Sequence, residues 1–144
     1  MKKQKKMKQA IQQISLPVAT QLERFKEVFS ASLQSDNQLL NQMVAHVKES
    51  SGKQMRPLLV LLCAQLCGDI NESTLHAAAS LELLHVASLI HDDVIDESDA
   101  RRGKPSLFAK YQSKAAVLGG DFFLATALSE AVKTQNLTMV NGIA

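Results

Sequence analysis

A chain of 144 residues is long enough for one domain with a sizeable core, and nothing in its length asks for two. Apolar residues make up 46% of it and aromatics only 4%, with six glycines and three prolines, a composition that suits helices packed on Leu, Ala, Val and Ile and speaks against long strands. The formal charge of +2 arises from Lys2, Lys3, Lys5, Lys6 and Lys8; without them 11 basic residues face 14 acidic ones, so the body lacks the basic excess of a nucleic-acid binder.

Residues 1–14 form a basic tail, expected to be solvated and frayed. Gln9, Gln12 and Gln13 follow the lysines where a secretory signal would need its apolar core. From 18 to 33 the apolar residues Leu22, Phe25, Phe29 and Leu33 recur at helical spacing, and Asp36 opens a second amphipathic segment through Val47. Residues 50–53 are a polar break with Gly52. Residues 55–66 are then apolar, with Pro57 tolerable only in a first helical turn, and Gly68 and Asp69 end the segment. The longest apolar run, 57–64, is too short to span a bilayer, so no transmembrane segment and a cytoplasmic location are expected. Cys63 and Cys67 share a helix face, but a zinc site needs a second pair and none exists; buried thiols are expected.

Asn71 is placed to cap the longest helix, predicted over 72–97 because no Gly or Pro interrupts it. A polar, basic connection follows over 98–106, with Arg101, Arg102, Gly103 and Pro105, then a short segment around 108–111. A further helix is predicted over 113–134, where Gly119 and Gly120 imply a kink or the close approach of a neighbouring helix. Residues 136–144 read as the start of one more helix.

The chemistry concentrates near the end of the long helix. Asp92 and Asp96 lie one turn apart on one face with Asp93 at its edge, so three like charges crowd a helix C-terminus whose dipole already disfavours them. A hard divalent cation would compensate, and magnesium typically binds through one or two carboxylates plus phosphates and waters; the bland alternative is a solvated acidic helix end. Arg101 and Arg102 carry forked guanidiniums suited to phosphate, or else pair with Glu97 and Asp99 at the surface. Lys53 and Arg56 stand at a helix start, a place that attracts phosphate although such residues are more often merely solvated. His85, two turns or roughly 10 Å before Asp92 on the same face, is either a ligand-binding group or a core histidine. His91 is offset from the aspartate face, and His46 and His76 have no suggestive neighbours, so none of the three is given a role.

Taken together, GKQMRP at 52–57, LELLHVASLIHDDVIDESDARRGKPS at 81–106 and GGDFFLATAL at 119–128 resemble the trans-polyprenyl diphosphate synthases in order and spacing. The resemblance covers nearly the whole chain after the tail, 15–144, but only the N-terminal half of such an enzyme. It implies an all-α, isoprenoid-synthase-type helical bundle whose first aspartate-rich motif, here Asp92, Asp93 and Asp96, binds Mg2+ against an allylic diphosphate. Asp92 and Asp96 would be direct ligands and Arg101 would contact the allylic diphosphate. Lys53, Arg56, His85 and Arg102 would hold isopentenyl diphosphate. The implied reaction ionises the allylic diphosphate, lets the isopentenyl double bond attack the cation and expels a proton, and repetition lengthens the chain. Product length is limited in this family by side chains before the aspartates. Ala87 and Ser88 are small there, which implies a medium or long product.

The family's second aspartate-rich motif and its C-terminal lysine, threonine and glutamine contacts do not occur before Ala144. The chain is therefore expected to be an inactive N-terminal part of an enzyme that is a homodimer at full length. The alternative is an accessory or substrate-binding subunit that needs a partner chain. A terpene cyclase would leave GKQMRP and His85 without an isopentenyl diphosphate to hold.

Overall fold

The computed structural model describes residues 2–50, 52 and 54–143, with side chains from residue 6 onward. The lysine-rich start, expected to fray, is helical instead: α1 runs Lys2–Ser15. Lys, Gln and Met are good helix formers, and Ile11 packs on the core, so the segment has both propensity and an anchor. A 3-10 turn at Leu16–Val18, with Pro17 at its start, leads into α2 (Ala19–Ser32), which buries Phe25 and Phe29 with ring centroids 5.6 Å apart. The next helix, α3 (Gln38–Ser50), begins one residue later than the sequence suggested. Asn37 rather than Asp36 is the cap, its Oδ1 accepting from the N–H groups of Leu39 and Leu40.

Helix α4 (Met55–Cys67) places Pro57 in its first turn and turns Pro57, Leu58 and Leu61 inward. Cys63 and Cys67 lie on the outer side with Leu59 and Leu66, so the expectation of buried thiols fails. Their four-residue spacing puts them on one face, but the inward face of α4 is set by where α2 and α5 pack.

The centre of the molecule is the pair α5 (Glu72–Ile95) and α6 (Leu107–Lys133), which make the most extensive contact between elements. Asn71 caps α5 as expected, its side chain accepting from the Thr74 N–H at 3.0 Å. The two helices run antiparallel. Ser73 Oγ donates to Thr134 O, Ser80 Oγ to Ala127 O, and His76 Nδ1 lies 2.6 Å from Glu130 Oε2, so rising numbers on one helix meet falling numbers on the other. Small residues allow this approach: a Cβ on Gly120 would run into the His91 ring, and one on Gly119 would sit 3.0 Å from Met43 Sδ. The glycines thus serve close packing, while the break falls at Gln112, with φ 66 and ψ 169. That break separates residues 107–111 from the helix predicted to start at 113.

By length and composition α5 and α6 could each cross a membrane, a test that the central helices of a helical core also pass. One side of α6 packs on α5, while Leu118 and Val132 on its other side are 65% and 64% exposed. A short helix, α7 (Leu137–Ile143), follows.

Candidate functional site

The residues singled out from the sequence gather where α5 ends, and the way that helix ends explains why. Ile95 is its last residue, two short of the predicted boundary, and Asp96 is its cap, with its N–H bonded to Asp92 O at 2.8 Å. Glu97 adopts a left-handed φ of 50; its N–H donates to Val94 O and that of Ser98 to Asp93 O. This pair of bonds is a Schellman closure, here with Glu in the place usually held by Gly.

The chain then reverses in a hairpin, β1 (Ala100–Arg101) paired antiparallel with β2 (Lys104–Pro105). The sequence reading had left this stretch as a polar connection. Arg102 and Gly103 occupy its turn with φ 53 and 78, the positive pair that a tight two-residue hairpin requires. Its second strand is tied to α3: His46 Nε2 lies 2.8 Å from Pro105 O, and Lys104 Nζ donates to Glu49 O. Ser106 ends the connection by capping α6, accepting from the Ala109 N–H.

This reversal brings Arg101 back onto α5. Its Nε and Nη2 donate to Asp93 Oδ2 and Oδ1 at 2.8 and 2.7 Å, a bidentate pair with the Asp93 side chain only 5% exposed. Hydrogen bonding to Asp93 raises the Arg101 pKa above its ordinary value; burial opposes this, and the charges of Asp93, Asp92 and Asp96 add to the rise. The three aspartates therefore divide. Asp93 faces inward with both oxygens engaged, whereas Asp92 and Asp96 are exposed and their carboxylates have no hydrogen-bond or ion-pair partner among the described residues. Nor do three His, Cys, Asp or Glu side chains converge on one point among those residues. The donor set is two exposed carboxylates, which fits a hard cation completed by phosphate and water better than a closed protein cage.

Beside the arginines is a pocket lined by His46 and Ser50 of α3, Gly52, Glu82 and His85 of α5, and the hairpin's Arg101 and Arg102. Gly52 lets Arg102 lie directly against the chain, since a Cβ there would meet the guanidinium. Arg56, in the first turn of α4, acts electrostatically on both Glu82 and His85 and so belongs to the same group. The start of α4 has no side-chain cap, Gln54 taking a left-handed φ of 48, which leaves first-turn N–H groups to other acceptors. Lys53 lies outside the described residues.

His85 lines this pocket, and its pKa is lowered, first by burial and then by repulsion from Arg56, Arg102 and Arg101. It is neutral at neutral pH, with one ring N–H to donate. A lowered histidine means that, as pH falls below the ordinary value of 6.5, the unfolded chain takes up a proton before the folded one does. Stability contributed here is present above that pH and is lost with acid. In thermal melts across pH 8 to about 5, His85→Gln is expected to lose less stability on acidification than the parent chain; an equal or steeper loss would show that His85 is not held neutral.

Ser88 is exposed on the side of α5 that carries Asp92, with its Oγ donating to His85 O. Ala87, its companion in the chain-length reading, is instead 1% exposed within the core. Two contributors escaped the sequence reading. His46, given no role, anchors the hairpin and lines the pocket. Glu82 is 7% exposed at the pocket, and its signal was available as the one acidic residue between Glu72 and Asp92. His76, also given no role, binds Glu130 far from this site.

The family model described as polyprenyl synthetase matches residues 37–144. The chain is 38% identical over 130 residues to an all-trans-nonaprenyl-diphosphate synthase (geranyl-diphosphate specific) of Rhodobacter capsulatus, covering 90% of this chain and 40% of that one. It is also 38% identical to heptaprenyl diphosphate synthase component 2 of Geobacillus stearothermophilus, over 77% of this chain and 35% of the relative. Among solved structures it is similar to a polyprenyl synthase from Caulobacter crescentus CB15 complexed with calcium and isoprenyl diphosphate. There the TM-score is 0.83 at 30% identity, covering 89% of this chain and 39% of that one. A decaprenyl diphosphate synthase from Rhodobacter capsulatus gives 0.84 at 29%, with 92% and 42% covered. The chain thus spans about two fifths of the length of the relatives it matches, and shares their helical-bundle fold.

Proposed function

Because the chain belongs to the polyprenyl synthetase family, we propose that it carries the diphosphate-binding part of a prenyltransferase that condenses isopentenyl diphosphate with an allylic diphosphate to make a medium- or long-chain trans-polyprenyl diphosphate. The observation that carries this reading is the meeting of His85, Arg101 and Arg102 around one pocket, with Arg56 in electrostatic reach of His85 and two unpartnered carboxylates just outside it.

The division of labour is the one that the family resemblance implies, and the environments support it. Arg101, aimed and kept charged by Asp93, meets the allylic diphosphate. Arg56, Arg102 and the neutral N–H of His85, with Lys53, hold the diphosphate of isopentenyl diphosphate. As the allylic carbon–oxygen bond breaks, negative charge grows on the departing diphosphate, where fixed guanidiniums lower the barrier because they need not reorganise. The isopentenyl double bond then attacks the allylic carbon, and loss of a proton creates the new trans double bond. Asp92 and Asp96 would hold Mg2+, which would supply further charge neutralisation for the departing diphosphate. The alkyl chain runs past Ser88, whose small side chain leaves room for a long product.

Supporting the inactivity of this chain alone is the absence of a second carboxylate wall between residues 1 and 144. An accessory or partner-requiring subunit is the second reading, favoured by the likeness to a protein named as a component of heptaprenyl diphosphate synthase. Exposed apolar residues on α6, Leu118 and Val132 among them, support association with further protein, including the homodimer expected at full length.

One assay separates these readings. Mg2+, isopentenyl diphosphate and a labelled allylic primer are supplied to the chain alone, to a form extended to the length of its relatives, and to the chain with a candidate partner. Product only from the extended form is the expected outcome. Product from the short chain alone overturns the inactivity, and product only with the partner establishes the subunit reading. In the active form Ser88→Phe is expected to shorten the product; an unchanged length would remove Ser88 from the tunnel.

A further inference from the structure

Resting on that reading of the pocket, we infer that Glu82 is a positioning residue for Arg56 and Arg102, holding both guanidiniums over the place where a diphosphate is received. Glu82 sits on α5 one turn before His85, is 7% exposed, and lines the pocket that Arg102 also lines. Its Oε2 is buried and has no hydrogen-bond partner among the described residues. A carboxylate so placed is costly unless cations answer it. Burial pushes its pKa above the ordinary carboxylate value, and Arg56 and then Arg102 offset part of that rise. The coupling is mutual: the free energy by which the two arginines favour an ionised Glu82 is the free energy by which Glu82 favours their staying near.

Among the described residues no other anchor is present: neither arginine stands in a direct ion pair, and the pocket's other buried acid, Asp93, has both oxygens taken by Arg101. Arg56 comes from the start of α4 and Arg102 from the hairpin turn, so nothing in their own elements ties them to one another. Glu82 is the buried anion within electrostatic reach of both, and its unpartnered oxygen keeps capacity for a guanidinium N–H.

A bystander acid and a positioning acid predict opposite results. Removing a bystander's negative charge beside an anion site should tighten anion binding, whereas removing the group that aims two guanidiniums should weaken it. The test uses the 144-residue chain and Glu82→Gln, which keeps the size and removes the charge. In nuclear magnetic resonance spectra the Nε–Hε signals of Arg56 and Arg102, assigned with Arg56→Lys and Arg102→Lys, are expected to shift or broaden away in the variant. Unchanged signals overturn the inference. In calorimetric titration with inorganic pyrophosphate without magnesium, affinity is expected to fall about tenfold, and equal or tighter binding overturns it. Glu82→Asp, one methylene shorter with the charge kept, is expected to recover part of both effects. Should Glu82→Gln not fold, Glu82→Asp is compared with the parent by the same two measurements, and no change in either overturns the inference. If the parent chain takes up no pyrophosphate, the functional reading fails, while the guanidinium signals still decide the role of Glu82.

Discussion

Replacing Asp92 and Asp96 together by Asn is expected to remove the magnesium-dependent strengthening of pyrophosphate binding, a loss of about 100-fold, without loss of stability. Both carboxylates are exposed and unpartnered, so no packing depends on their charge. They stand in the last turn and at the cap of α5, where the helix dipole disfavours anions, and neutralising them should leave stability unchanged or raise it by about 0.5 kcal/mol. Pairing a large functional loss with a neutral or positive stability change is the signature of charges kept for a ligand. The measurement is calorimetry with inorganic pyrophosphate at zero and millimolar magnesium, with thermal melts of the same samples. Magnesium dependence that survives in the double variant would place the cation elsewhere.

Asp93 should behave in the opposite way, because its charge is answered inside the protein. Asp93→Ala is expected to cost about 2 kcal/mol, since two charge-assisted hydrogen bonds go while Arg101, 35% exposed, can turn to water. Arg101→Ala is expected to cost more, about 3 kcal/mol, because the abandoned partner is then a carboxylate with only 5% of its side chain exposed. The double variant should fall well short of the sum of the two, and denaturant unfolding of the four proteins gives that coupling directly. A cycle that adds without coupling would show that the pair does not hold the hairpin to α5. Pyrophosphate binding should weaken in Asp93→Ala although no presumed ligand has been removed, because Arg101 remains charged but loses its aim.

Much of this site could be read along the chain. The clustering of acidic and basic residues after residue 85 survives in three dimensions because the acids share a helix end and the arginines follow within a few residues. The long-range part was less legible. Gly52 and Pro57 marked the start of α4 and Gly103 the hairpin turn, but Glu97 adopts a left-handed backbone conformation without being glycine, so no residue type announced the closure of α5. The exposure of Cys63 and Cys67 was misread for a related reason: α4 is apolar on several sides, and periodicity does not say which side is buried.

The sequence by itself determined that the chain is helical, where most of its helices begin, and where its acidic and basic residues concentrate. Those properties rest on local propensity, capping and spacing along one helix. Only the tertiary structure decided that Asp93 is consumed by Arg101 while the carboxylates of Asp92 and Asp96 stay exposed and unpartnered. Only there is Glu82 found to be a buried acid within electrostatic reach of Arg56 and Arg102. Angular position on a helix follows from residue number, but burial and partner choice depend on chain that returns from elsewhere, here through a hairpin and the start of another helix.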